Sequence, residues 1–112
     1  MIWHLGTCDT CRGILGQLPD DLPRQEIRAQ PLQPSQLDAM ADLAGGYAPL
    51  LSRRARKYRE LGLHESSPTE QDLRALILEH DTLLQRPVAI VGARIFIGSS
   101  KKTQAALQEA LT

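Results

Sequence analysis

The pattern of apolar and polar positions divides the N-terminal third of the chain into three short segments. Residues 1–5 form an apolar run that is closed by Gly6, which predicts a first strand. Apolar side chains at helical spacing over residues 11–18 predict a short helix that ends before Pro19. Over residues 24–30 polar and apolar positions alternate, which predicts a second strand. The chain therefore begins with a βαβ pattern.

The middle of the chain has helical periodicity. A first helix is predicted from a cap at Ser35 to Ala44, and a second from Pro49 to Leu61. The third helix has the clearest start in the sequence, with Ser67 as N-cap, proline at the first helical position and Glu70 three residues after the cap. These segments predict a helical region at about residues 35–80.

The C-terminal third has a strand pattern followed by a helix. Residues 88–91 and 94–97 flank the dipeptide Gly92-Ala93, in which glycine comes first, as a type II′ hairpin turn prefers. Ser99 or Ser100 is predicted to cap a last amphipathic helix. The last part of the chain is therefore ββα.

This order of elements predicts one α/β domain over residues 1–112. Two strands joined through a helix lie parallel with a right-handed crossover, and the later hairpin adds an antiparallel pair. We therefore expect a four-stranded mixed sheet, built from βαβ and ββα parts, with the helical insertion between them.

Composition narrows the class of protein. Lysine plus arginine and aspartate plus glutamate each number 13, so no overall charge favours nucleic acid or an acidic membrane. The longest apolar runs are far shorter than the roughly 20 residues that cross a bilayer. The N-terminus does not have the pattern of a signal peptide, and we therefore expect a cytoplasmic protein with no membrane association.

Cys8 and Cys11 form a Cys-x-x-Cys motif between the first strand and the first helix. Helix-start amides, the helix dipole, and cations such as Arg12 or protonated His4 would lower the pKa of Cys8. Cys11 would then attack an adduct on Cys8 and leave an internal disulfide. Two inert thiols are the alternative. A zinc site is disfavoured because four ligands are needed and His4, His64 and His80 are the only histidines, so no metal is expected.

Four segments resemble the arsenate reductase/Spx family. Residues 2–8 are similar to the opening of arsenate reductases, with a histidine four residues before the reactive cysteine. The segment Cys8-Asp9-Thr10-Cys11-Arg12 resembles the Cys-x-x-Cys-Arg of Spx proteins. Residues 58–63 and 83–88 resemble the family's Tyr-x-x-Leu-Gly-Leu and Leu-x-x-Arg-Pro-Ile/Val segments. The four segments occur in the family's order along nearly the whole chain.

The resemblance implies a thioredoxin-like fold and assigns further site residues. Pro87 would be the cis-proline that faces Cys8, whereas its sequence context alone favours a proline opening an edge strand. Arg86 would point into an anion site, where its planar donors could hold two oxygens; the alternative is a surface arginine. His4 would assist thiolate formation or simply end a strand.

Two positions depart from the arsenate reductase pattern. Alignment on Tyr58 puts Ser52 where that family has an oxyanion-binding arginine, and alignment after Pro87 puts Gly98 at the position of another. These departures argue against arsenate as the substrate. A nearby basic run, which in an amphipathic helix is usually the solvated face, offers other cations: Arg53, Arg54, Arg56, Lys57 and Arg59.

The sequence therefore supports two hypotheses of function. The first is a thiol-disulfide oxidoreductase without a bound cofactor, in which Cys8 attacks, Cys11 resolves, and glutathione, glutaredoxin or thioredoxin restores the dithiol. Glutathione would then be a cosubstrate. The second is an Spx-like redox-sensing regulator that binds RNA polymerase.

Overall fold

The computed structural model describes residues 1–6 and 9–112. The expectations for Cys8 therefore lie outside the described residues. The described chain forms two compact units. One consists of residues Met1–Pro31 and Arg86–Thr112, and the other of Leu32–Gln85.

The first unit is built on a four-stranded sheet. Its strands are β1 (Ile2–His4), β2 (Arg24–Glu26), β3 (Val88–Val91) and β4 (Arg94–Ile97). They lie in the order β2-β1-β3-β4, with β1 parallel to β2, and with β3 antiparallel to both β1 and β4. The predicted mixed sheet is confirmed.

The β3–β4 hairpin has the bounds that the sequence predicts. Val91 pairs with Arg94, so Gly92 and Ala93 form a two-residue turn. Gly92 has a φ of +62°, whereas the φ of Ala93 is not positive. This combination of signs is that of a type II′ turn, and it explains why glycine comes first.

Two helices pack on one face of this sheet. They are α1 (Asp9–Leu15) and α5 (Lys101–Leu111). Burying each large apolar side chain in such a core stabilises the fold by about 1.5–3 kcal/mol. The buried core residues of this face are Ile2, Ile14, Leu15, Leu18, Ala89, Phe96 and Leu107.

The second unit is helical. Its α-helices are α2 (Pro34–Ala44), α3 (Arg56–Glu60) and α4 (Glu70–Glu79). Single turns of 3₁₀ helix cover Ala48–Leu50, Leu63–Glu65 and Asp81–Leu83. No helix in residues 1–6 and 9–112 is both long and apolar enough to cross a bilayer.

The predicted continuous helix over residues 49–61 is wrong. The chain leaves the 3₁₀ turn at Leu51, which is extended and forms an antiparallel bridge with Leu84. Beside this bridge, the Ser52 N–H donates to the Leu83 carbonyl at 2.6 Å and the Gln85 N–H donates to the Leu50 carbonyl at 2.8 Å. These bonds between distant segments replace the helical ones, so α3 begins only at Arg56.

The N-terminal elements of the first unit also differ from the sequence-based bounds. The second strand ends at Glu26 because the chain turns there, with the Gln30 N–H donating to the Glu26 carbonyl at 2.8 Å. The first helix starts earlier, at Asp9, and ends at Leu15. Its predicted last turn, up to Leu18, is irregular.

The N-caps of α2 and α4 differ from the predicted residues, whereas the N-cap of α5 is one of the two predicted serines. Helix α2 has Gln33 as N-cap in place of Ser35, with Pro34 as the first helical residue. Helix α4 is capped by Thr69 in place of Ser67. Ser100 caps α5, because its Oγ accepts the Thr103 N–H at 3.1 Å.

Candidate functional site

The candidate site lies at one edge of the sheet in the first unit. His4 ends β1, and Glu26, its partner in the parallel register, ends β2. Trp3 pairs with Val88 in the antiparallel register, and Pro87 directly precedes Val88 in the chain. His4 and Glu26 at the ends of β1 and β2, and Pro87 at the start of β3, therefore lie towards the same edge of the sheet.

Cys11 lies in the first turn of α1 and is fully buried, with a relative exposure of 0%. Its side chain belongs to the face of the helix that also buries Ile14 and Leu15. Cys11 is therefore shielded from solvent beside the apolar core of the first unit.

Arg12 is more exposed than the hypothesis of a cation beside Cys8 suggests. Its side chain is 63% exposed, and its guanidinium pairs with the carboxylate of Asp9 one turn earlier. The positive charge of Arg12 is therefore directed to an acidic neighbour on the same helix.

His4 is half-buried at the end of β1. Desolvation lowers the pKa of its imidazole; the charge of Glu26 raises this pKa and that of Arg24 lowers it. Its Nδ1 atom is buried and has no hydrogen-bond partner within residues 1–6 and 9–112. Protonation would leave a buried N–H donor without an acceptor, so both observations favour the neutral imidazole.

Glu26 is a site residue that the sequence analysis missed. Its carboxylate accepts the N–H groups of Gly6 at 3.1 Å, Arg28 at 3.1 Å and Ala29 at 2.8 Å. These bonds, that of Ala29 first, hold the pKa of Glu26 below its usual value. The sequence pattern assigned Glu26 to the middle of a strand. An acidic residue placed at the strand's end would have been the signal for such a role.

The Arg86–Pro87 peptide bond is cis, as the resemblance implies. Pro87 is buried, and its carbonyl accepts the Gly98 N–H at 2.9 Å, next to the paired β3 and β4. Arg86 is half-buried, and its guanidinium has no hydrogen bond or ion pair with any residue that the structure describes. The position of Pro87 relative to Cys8 lies outside the described residues.

The two positions that depart from the arsenate reductase pattern belong to different units. Ser52 is half-buried in the second unit. Gly98 follows β4 and has a φ of +90°, a conformation that residues with a Cβ rarely adopt. The backbone at position 98 therefore favours glycine over the arginine that the family pattern has there.

The described part of the chain contains no group of three or more His, Cys, Asp or Glu side chains that could hold a metal ion. The groups described above are the Cys11 thiol, the His4 imidazole, the Glu26 carboxylate, and the guanidinium groups of Arg12 and Arg86.

The sheet order, the cis-proline before β3 and the Cys-x-x-Cys motif between β1 and α1 define an α/β protein of the thioredoxin-like class. A sequence model of the ArsC family matches residues 3–107. The chain belongs to the ArsC family.

Individual relatives agree with this assignment. The chain is 27% identical to an arsenate reductase of Yersinia enterocolitica over an alignment of 100 residues that covers 84% of this chain and 71% of the relative. The solved structure of an arsenate reductase from Vibrio cholerae has a TM-score of 0.76 at 19% identity, covering 96% of this chain and 94% of the other. That of an arsenate reductase related protein from Brucella melitensis has a TM-score of 0.73 at 20% identity, covering 96% and 92%. The two structures show the shared fold.

Proposed function

We propose that this protein is a thiol-disulfide oxidoreductase whose nucleophile is Cys8 and whose resolving thiol is Cys11. The observation that carries the proposal is the position of Cys11, buried in the first turn of the helix that follows Cys8 in the chain. Membership of the ArsC family and the arsenate reductase among its relatives support the same class of chemistry.

The reaction consists of two exchanges. The Cys8 thiolate attacks one sulfur of a substrate disulfide, forms a mixed disulfide and releases the other sulfur as a thiolate that takes up a proton. The Cys11 thiolate then attacks the Cys8 sulfur, releases the second substrate thiol and leaves a Cys8–Cys11 disulfide. Two glutathione thiols, or one dithiol of a glutaredoxin or thioredoxin, return both cysteines to the reduced state and become a disulfide themselves.

We further propose glutathione mixed disulfides as the substrate class. Glutathione carries two carboxylates, and a planar guanidinium binds a carboxylate through two parallel hydrogen bonds. Arg86 is suited to this role because it is half-buried beside the cis-proline and forms no internal ion pair in the described chain. His4, as a neutral imidazole, would assist deprotonation of the attacking thiol.

A coupled thiol-reduction assay tests the proposal. Wild type, Cys8→Ser and Cys11→Ser are compared with a small glutathione mixed disulfide as the oxidant and with glutathione, glutaredoxin or thioredoxin as the reductant. We expect turnover by wild type, none by Cys8→Ser, and an accumulating mixed disulfide with Cys11→Ser. Wild type without turnover under any reductant would contradict the proposal.

The role of Arg86 is tested by Arg86→Gln, with Lys102→Gln as the matched control. Lys102 is an exposed cation in α5 of the same unit. Loss of a bidentate charged contact to the substrate should raise the KM about tenfold, since such bonds contribute roughly 1.5–3 kcal/mol. The control should keep the wild-type KM. Equal KM values for both variants would exclude Arg86 as the carboxylate-binding residue.

A second candidate function, an Spx-like regulator that binds RNA polymerase, has one favourable observation. Around the start of α3 four arginines are exposed and form no ion pair with a described residue: Arg53, Arg54, Arg56 and Arg59. Such a group would suit an acidic protein surface. If the protein pulled down the polymerase α-subunit and this binding were lost on oxidation, the regulator function would be favoured. Such binding would also support the cytoplasmic location predicted from the sequence.

A further inference from the structure

The Glu26 carboxylate joins two separate parts of the first unit. Oε1 accepts the N–H groups of Gly6 and Arg28, and Oε2 accepts that of Ala29. Arg28 and Ala29 belong to the turn that follows Glu26 itself, so those two bonds fix the carboxylate. The bond to Gly6 spans 20 positions of the chain and reaches the segment that leaves β1.

Gly6 is closely fitted to this carboxylate. A Cβ at Gly6 would lie 3.3 Å from Cγ of Glu26, which is tighter than ordinary contact between carbon atoms. A side chain at position 6 would therefore require Glu26 to shift by a few tenths of an ångström.

Gly6 is two residues before Cys8, and α1 begins at Asp9. Between the amide held by Glu26 and the start of the helix there are only Thr7 and Cys8. An attacking thiol must meet the substrate sulfur along a narrow range of directions, and a displacement of about 1 Å can cost about 100-fold in rate. The rate of reaction at Cys8 should therefore depend on where Gly6 is held.

We propose that Glu26 is a positioning residue for Cys8, acting through the Gly6 amide that its carboxylate binds. This inference rests on the proposed function, because it assumes that Cys8 is the nucleophile. Glu26 does not touch the substrate in this role and exchanges no proton with it. The alternative is that Glu26 acts through its charge, which raises the pKa of His4, its partner in the strand register.

Three variants separate the effect of side-chain length at position 26 from the effect of its charge. Glu26→Gln keeps an oxygen at the right distance from the Gly6 amide but has no charge. Glu26→Asp keeps the charge but is one methylene too short. Glu26→Ala has neither, and Glu109→Gln, at an exposed position of α5, is the control. Circular dichroism of each variant establishes that it is folded before rates are compared.

If Glu26 positions Cys8, kcat with a glutathione mixed disulfide should fall about tenfold or more in Glu26→Asp and Glu26→Ala, with KM within about twofold. Glu26→Gln should retain more activity than Glu26→Asp, and the control should match wild type. If Glu26→Asp were at least as active as Glu26→Gln, the charge of Glu26 would matter more than its hydrogen bond to Gly6, and the proposal that Glu26 positions Cys8 would be overturned. Wild-type kcat in folded Glu26→Ala would overturn both.

A second measurement does not depend on turnover. In a Cys11→Ser background the only thiol is Cys8, so its rate of alkylation by iodoacetamide can be followed across pH. We expect Glu26→Asp to lower the pH-independent limiting rate more than Glu26→Gln does. If wild type shows no turnover but this order holds, the proposed function fails and the inference on Glu26 survives. Equal limiting rates in all variants would overturn it.

The wild-type protein gives a direct signature of the contact. The Gly6 and Ala29 amide resonances should shift together as the pH is lowered, with a midpoint below the usual Glu value of 4.5. Loss of the Gly6 shift in Glu26→Gln, with the rest of the spectrum retained, would support the assignment. A Gly6 resonance in wild type that ignores this titration would contradict it.

Discussion

The two cysteines of the motif should differ in reactivity. Cys8 directly precedes Asp9, the first residue of α1, in the sequence, and the motif therefore predicts that helix-start amides and the helix dipole would favour its thiolate. Cys11 is fully buried. We therefore expect iodoacetamide to alkylate Cys8 first, with an apparent pKa below the roughly 8.5 of a free cysteine, and Cys11 to lag behind.

Mild oxidation gives a complementary measurement of the same assignment. Wild type should lose two thiols together through a Cys8–Cys11 disulfide, whereas Cys11→Ser should trap a sulfenic acid or mixed disulfide on Cys8. Mass spectrometry identifies the modified residue. A faster and more acidic Cys11, or oxidation without an internal bond, would reverse the assigned roles.

His4 and Glu26 should give stability a two-step dependence on pH. The pKa of His4 is lowered from 6.5 by desolvation, so protonation favours the unfolded chain and stability falls as the pH drops below about 6.5. The pKa of Glu26 is lowered from 4.5 by its backbone hydrogen bonds, so its contribution is present above about 4.5 and is lost at lower pH.

Urea unfolding at a series of pH values between about 3 and 8 measures both steps. His4→Gln should abolish the decline that begins below the usual pKa of histidine and leave the acidic one. Glu26→Gln should reduce the acidic decline but not remove it, because hydrogen bonds from Arg74 and Tyr47 also hold the pKa of Asp38 below its usual value. A His4→Gln variant with the wild-type profile throughout would show that His4 is not desolvated in the folded state.

At the scale of elements, the start of α4 shows how a sequence signal can be displaced by two residues. The Thr69 Oγ1 accepts the Asp72 N–H at 3.1 Å, and the Asp72 carboxylate accepts the Thr69 N–H at 3.0 Å. Glu70, which the sequence assigned to the capping box, accepts the Tyr47 N–H at 2.7 Å instead. The cap is therefore Thr69, and Ser67 lies outside the helix.

Thr69→Ala should lower the free energy of unfolding by about 1 kcal/mol, because it leaves a helix-start amide without its side-chain acceptor. Ser67→Ala, the cap that the sequence predicts, should change it by less than about 0.5 kcal/mol. Chemical denaturation of the two variants decides between the caps. A larger effect at Ser67 would mean that the helix starts where the sequence indicates.

The elements that sequence analysis predicts well are those set by local chemistry. The hairpin is fixed by Gly92 and by apolar runs of matching length, and its bounds agree with the structure. The helix predicted over residues 49–61 fails because hydrogen bonds from Ser52 and Gln85 to distant carbonyls decide that region. Such pairings have no local signature in the sequence.

In the candidate site, too, a feature set by local sequence was predicted and a feature set by a distant contact was not. The cis bond before Pro87 agrees with the expectation taken from a short motif. The sequence analysis missed Glu26 because its carboxylate binds an amide 20 positions away in the chain. The pairing of Arg12 with Asp9 was equally unforeseen, although a carboxylate three positions before an arginine is a common helical pair.

For the molecule as a whole, family membership is indicated by nearly the whole chain, whereas the choice of substrate is expected to depend on a few side chains. The match to the ArsC family extends over residues 3–107. Arsenate binding, by contrast, is expected to depend on a few cationic side chains that hold the oxyanion. Ser52 and Gly98 replace two of the arginines that the resemblance assigns to this task.

Gly98→Arg should not simply restore the missing side chain. With a φ of +90°, an arginine at this position would strain the backbone by about 1–3 kcal/mol. We expect the variant to unfold at lower urea concentration than wild type. Gly13→Ala is the control, because Gly13 lies in α1 with open space around its Cα and should tolerate a Cβ without loss of stability. Wild-type stability of Gly98→Arg would show that the turn can adapt.

Arsenate reduction by the wild-type protein should therefore be weak or absent, whereas glutathione mixed disulfides, the proposed substrates, should be reduced. A tetrahedral oxyanion must be held in line with the attacking thiol, and without its arginines the effective concentration of the bound anion falls. Steady-state assays with both oxidants under the same reductant make the comparison. Saturable arsenate turnover would contradict the prediction, and Arg53→Gln and Arg54→Gln would then be the first variants to test, because these cations adjoin Ser52 in the sequence.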